Sequence, residues 1–158
     1  AKFTIRSFSM KYKLELLNRF LDICQHVADI TNTSMKWEYD GLAYEDIRNN
    51  QALEEALEKN FTDLGETVKP RERALGIGCT DMGNVTHEIP GLQSYVLVVP
   101  ELRGHTPEFQ EACKSPAGHR TIAVGSKAMA MTAVDVLTDP DLLSRIRKAF
   151  QEMKEKYE

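Results

Sequence analysis

The chain has no pair of cysteines at metal-binding or redox spacing, no long apolar run and no excess of positive charge. Its cysteines, Cys24, Cys79 and Cys113, are odd in number and none stands in a CxxC spacing, so the sequence offers neither a disulfide framework nor a zinc knuckle. A reducing, cytoplasmic setting is the expectation. The apolar runs extend over only a few residues, so neither a secretory leader nor a membrane span is expected from this sequence. A formal net charge of -4 argues against a phosphate-backbone binder, because the cluster Arg145-Ile146-Arg147-Lys148 is balanced by neighbouring acids. No nucleic-acid partner is expected. With 42% apolar and 28% charged residues, the composition is that of a globular protein rather than a disordered one.

The patterning gives two regions. Phe3-Thr4-Ile5-Arg6-Ser7-Phe8 alternates as a strand. Ser9 then caps a helix whose apolar positions Leu14, Leu17, Leu21, Cys24 and Ala28 recur at helical spacing and end near Thr31-Asn32. Met35-Lys36-Trp37-Glu38-Tyr39 alternates again, so strand, helix and strand make half of a ferredoxin-like sandwich. A second helix is predicted from about Glu45 to Leu64, with Gly65 as its stop, followed by a turn-rich connection from Glu66 to Gly78. Tyr95-Val96-Leu97-Val98-Val99 reads as a strand buried on both faces. Helices to cover it are predicted over Thr121 to Leu137 and Asp141 to Tyr157, separated at Asp139-Pro140. The fold expectation is therefore α/β.

Two polar segments stand beside these apolar runs. Gly78-Cys79-Thr80-Asp81-Met82-Gly83-Asn84-Val85-Thr86-His87-Glu88-Ile89-Pro90 is read as a loop, as is Gly104-His105-Thr106-Pro107-Glu108-Phe109. His105 carries an imidazole suited to zinc, and equally suited to a backbone hydrogen bond in a loop. Asp81 and Thr80 can orient a ligand, and Asn84 or His87 can line a substrate pocket. The same letters, Asp81-Met82-Gly83-Asn84, are also good turn chemistry. His26 and His119 read as structural or exposed, and Glu54-Glu55 as a solvated helix face.

The first segment resembles the [GA]-S-T-D-[MFV]-G-[ND]-V-[ST] signature of the M20 metallopeptidases, in the branch of aminobenzoyl-glutamate hydrolases and M20 domain-containing dipeptidases. His105-Thr106-Pro107-Glu108-Phe109 is similar to that branch's H-[ST]-x-x-[FY] segment, and Ala128 to Leu137 to its penultimate helix. The resemblance implies the C-terminal part of a zinc-peptidase-like α/β catalytic domain over residues 44–158. It implies the second half of a ferredoxin-like lid, which also dimerises, over residues 1–43. One or two divalent ions, zinc by preference, would be held with His105 as the last ligand. Arg6 would meet a substrate carboxylate, suited to the guanidinium fork. The substrate would be a dipeptide, an N-acyl amino acid or an aminobenzoyl-glutamate-like conjugate. The sequence shows no HxD segment and no paired Glu-Glu beside a metal motif, so the expectation is a C-terminal portion that is inactive alone. The alternative is a non-catalytic module that binds a partner chain through exposed sheet edges.

Overall fold

A computed structural model describes residues 1–7, 9–69, 80–102 and 104–157. Phe8, Gly78 and Cys79, which figured in the sequence reading, lie outside the described residues, as does most of the Glu66 to Gly78 connection beyond residue 69. Six helices follow one another: α1 Met10–Ile30, α2 Gln51–Asp63, α3 Met82–Glu88, α4 Pro107–Lys114, α5 Pro116–Thr138 and α6 Pro140–Tyr157. None of the helices is long and apolar enough to cross a membrane among the described residues.

The α/β expectation, with its ferredoxin-like half, is overturned: no strand and no sheet occur among the described residues. Residues 3–7, 35–39 and 92–97 run without helix or ladder. The physical reason is that alternation and β-branching prepare a segment for pairing, but a strand exists only through hydrogen bonds to a neighbouring strand. The best strand candidate also fails on burial. Tyr95 and Leu97 are 62% and 68% exposed, whereas a strand covered on both faces would bury them.

The chain divides into two compact units, Ala1–Arg48 with Arg71–Glu88 and Asn49–Pro70 with Ile89–Glu158. In the first, α1 begins where Ser9 accepts a hydrogen bond from the Tyr12 amide and ends at Thr31, whose hydroxyl bonds back to Val27 O. Ala28 is its buried residue. Most of the remaining apolar side chains of α1 face an open groove of about 1420 Å³, shared with residues 1–7 and 33–47.

The second unit is a helical assembly in which α5 packs against α2, α4 and α6, and α2 also packs against α6. Ala52 of α2 meets Leu142 and Ile146 of α6 in one cluster, and Leu57 and Phe61 meet Ala128 of α5 in another. Burying each such Leu, Ile or Phe contributes about 1.5–3 kcal/mol. Polar bonds fix the register of these helices. Asn50 caps α2 by accepting from Leu53 N at 3.2 Å and donates to Ile146 O at 2.9 Å. Asn60, 2% exposed, donates to Thr132 Oγ1 at 3.0 Å and to Asp135 Oδ2 at 2.7 Å. Such buried amides are tolerated because their hydrogen bonds are made.

Candidate functional site

Within the signature segment, Met82–Glu88 form a short helix, not a loop. Thr80 accepts from Met82 N at 3.3 Å and donates to Asp81 Oδ1 at 3.1 Å, and the Gly83 and Val85 amides return to the carbonyls of Thr80 and Asp81. Thr80 and Asp81 thus start α3, with Asp81 exposed. Asp81-Met82-Gly83-Asn84 suits a turn as well as a site in the sequence, because the same side chains that bond backbone in turns also open helices.

What α3 does is hold residues 43–48. Gly83 is buried against them: a Cβ there would lie 2.6 Å from the Glu45 carbonyl carbon and closer still to its oxygen, so the approach requires glycine. One residue on, Asn84 uses both ends of its amide, accepting from Glu45 N at 3.4 Å and donating to Ala43 O at 3.2 Å. Thr86 is completely buried, accepts from Arg48 N at 3.0 Å and donates to Gly83 O at 2.9 Å. His87 places Nδ1 2.7 Å from Glu45 Oε2 and Nε2 2.9 Å from Asp46 O.

The carboxylate of Asp46 ties in a third element. Its Oδ1 accepts from Met10 N, in the first turn of α1, at 3.2 Å, and its Oδ2 accepts from Arg48 Nε at the same distance. Lys13 of α1 donates to Tyr44 O at 2.7 Å. Ala43 to Ile47 line the groove of this unit, together with Arg6, Trp37 and Asp40. Arg6 is exposed there. The Lys2 ammonium, by hydrogen bond and then by charge, holds the Asp40 carboxyl below its ordinary value.

His105 belongs to the other unit. Its imidazole is exposed, and its backbone has a φ of +63°, a left-handed conformation that histidine adopts more readily than most residues. Thr106 follows as N-cap of α4, accepting from Phe109 N at 3.2 Å with Pro107 at the first helical position. This helix was read as a loop although Thr-Pro-Glu is a start signal. His26 is exposed in α1, and His119 lies within α5. Glu45, Asp46 and Thr86 were missed as members of the site. Glu45 and Asp46 were absorbed into the start of a helix that actually begins at Gln51, and only the two consecutive asparagines before it could have flagged the later cap.

The described residues do not by themselves fit a metal site. No three His, Cys, Asp or Glu side chains among them are placed to hold a metal ion together, and both ring nitrogens of His87 already face acceptors. His105 offers one exposed donor, and one donor is not a ligand set.

No protein-family model matches the chain. It is similar to the Xaa-Arg dipeptidase of Mus musculus, with 32% identity over 149 residues, and to the Xaa-Arg dipeptidase of Homo sapiens, with 31% identity over 150 residues. Each match takes in 92% of this chain and 34% of the relative. The similarity thus runs over nearly all of this chain, which spans about a third of the length of these relatives.

Proposed function

We propose that these residues are part of an M20-type hydrolase that cleaves the amide bond of small peptides, with dipeptides carrying a C-terminal arginine as the first substrates to try. The observation that carries this reading is the similarity to two proteins named Xaa-Arg dipeptidase across 92% of the chain. N-acyl amino acids and aminobenzoyl-glutamate-like conjugates are the neighbouring substrate classes.

In this reading Arg6, exposed on the groove, takes the substrate carboxylate through its guanidinium fork. His105 contributes one donor to a divalent metal ion, zinc by preference, whose other ligands come from sequence outside these 158 residues. Thr80 and Asp81 set the start of α3 and so the position of the residues that follow. Because the chain corresponds to about a third of its relatives, it is proposed to hydrolyse nothing alone.

The test is a panel of dipeptides offered to the protein expressed from its whole reading frame, before and after removal of metal with a chelator, with products followed by mass spectrometry. Cleavage that chelation abolishes and zinc restores is the expected result. Failure to cleave any dipeptide or acyl-amino acid with metal supplied would remove the reading. A normal metal content in His105→Ala would remove the assignment of that residue while leaving the reaction class standing.

A further inference from the structure

His87 has two close neighbours, and both can only accept a hydrogen bond. They are Glu45 Oε2, 2.7 Å from Nδ1, and the Asp46 carbonyl oxygen, 2.9 Å from Nε2. A neutral imidazole carries one N–H, so it satisfies one of these and turns a lone pair toward the other. Only the doubly protonated ring makes both bonds. The surrounding charges come from each element in contact. Asp46 Oδ1 lies 3.7 Å from Nε2, the Arg48 guanidinium is bound to the same carboxylate, and the Lys13 ammonium of α1 sits on Tyr44 O. Asp81 and Glu88, before and within α3 itself, are exposed.

We infer that His87 is a proton-dependent latch: doubly protonated, it closes Ala43 to Arg48 onto α3, and loss of one ring proton releases one of the two bonds. The segment it holds forms part of the wall of the groove and, through Asp46, fixes the first turn of α1. Deprotonation therefore loosens that wall and the start of α1 together. His87 and Asn84 are positioning residues in this scheme, since their polar atoms are spent on residues 43–46. The latch does not depend on the hydrolase reading, and its test needs no substrate.

The experiment is nitrogen-15 NMR of the 158-residue chain, reading the His87 ring nitrogens and the exchange of two backbone amides. Those amides are Glu45 N, bonded to Asn84 Oδ1, and Arg48 N, bonded to Thr86 Oγ1. In an acidic sample both ring nitrogens, each facing an acceptor, are expected to carry protons. On raising the pH to about 8.5, protection of the two amides, corrected for intrinsic exchange, is expected to fall about tenfold, the factor carried by one charge-assisted bond. His87→Gln, with a single donor group opposite two acceptors, should lose this pH response. Glu45→Ala removes one acceptor and should lose it too, which keeps the proposal testable where His87→Gln does not fold. A single neutral tautomer in the acidic sample with both amides protected would overturn the latch. So would an unchanged pH response in either variant.

Discussion

Replacing Gly83 by alanine is the sharpest perturbation of the arrangement around α3. The new methyl would sit 2.6 Å from the Glu45 carbonyl carbon and 3.3 Å from its Cα, with the carbonyl oxygen nearer than either. These are backbone atoms, so no side chain can swing away. Helix α3 must then withdraw from residues 43–48, and the bonds from Asn84 to Ala43 and Glu45 and from Thr86 to Arg48 lengthen together. Overpacking alone costs about 1–3 kcal/mol, and each weakened bond adds about 0.5–1.5 kcal/mol. A total near 3 kcal/mol is a rough expectation on those magnitudes. Trp37 is the only tryptophan and belongs to the same unit, so its fluorescence in a urea titration reports that unit. With a slope of about 1–3 kcal/mol per molar urea, the midpoint should drop by roughly 1–3 M. Gly125→Ala is the matched control: its nearest atom would be Val96 Cγ2 at 3.6 Å, an ordinary contact. Within α5 it should be neutral or stabilise by up to about 1 kcal/mol through helix propensity, read by circular dichroism. A Gly83→Ala protein with an unshifted Trp37 midpoint would refute the close docking of α3 on Glu45.

Other outcomes follow from the same geometry. Asn60→Ala leaves Thr132 and Asp135 without a buried donor and should cost about 2–3 kcal/mol, measured by urea unfolding followed by circular dichroism. Gly118→Ala meets the Cys113 backbone at 2.6 Å and should destabilise the α4 to α5 corner, seen as faster amide exchange in α4. Lys2→Met should return the Asp40 carboxyl to its ordinary titration range in an NMR pH series. Because the folded value is depressed, the stabilisation from that pair is present above the unfolded value and is lost as pH falls through the folded one. Both groups are exposed, so added salt should shrink the effect.

The helices were legible where local signals and periodicity agreed. Ser9 and the Leu14, Leu17, Leu21 stripe located α1 almost to the residue, and Pro140 marked the join between α5 and α6. Local signals failed where the outcome depended on distant chain. Tyr95 to Val99 has the composition of a buried strand, yet only its pairing partners could make it one. In this structure Val96 packs on the Leu57, Phe61 and Ala128 cluster while Tyr95 and Leu97 face outward. The candidate site was half legible for a related reason. Asn84 and His87 were visible as polar letters in a signature, but their partners lie about forty positions upstream, on the Glu45 carboxylate and on backbone atoms of Ala43, Glu45 and Asp46 that composition does not mark. Thr86, the most deeply buried member, carried no signal of its own.

The most direct test of the account compares two proteins in one assay with zinc present: the 158-residue chain, and the product of the whole reading frame that contains it. Both are offered dipeptides with arginine at the C-terminus, and release of arginine is measured. The account expects steady release by the longer protein and none by the chain alone. Release by the isolated chain, or no hydrolysis of any dipeptide by the longer protein, would contradict it.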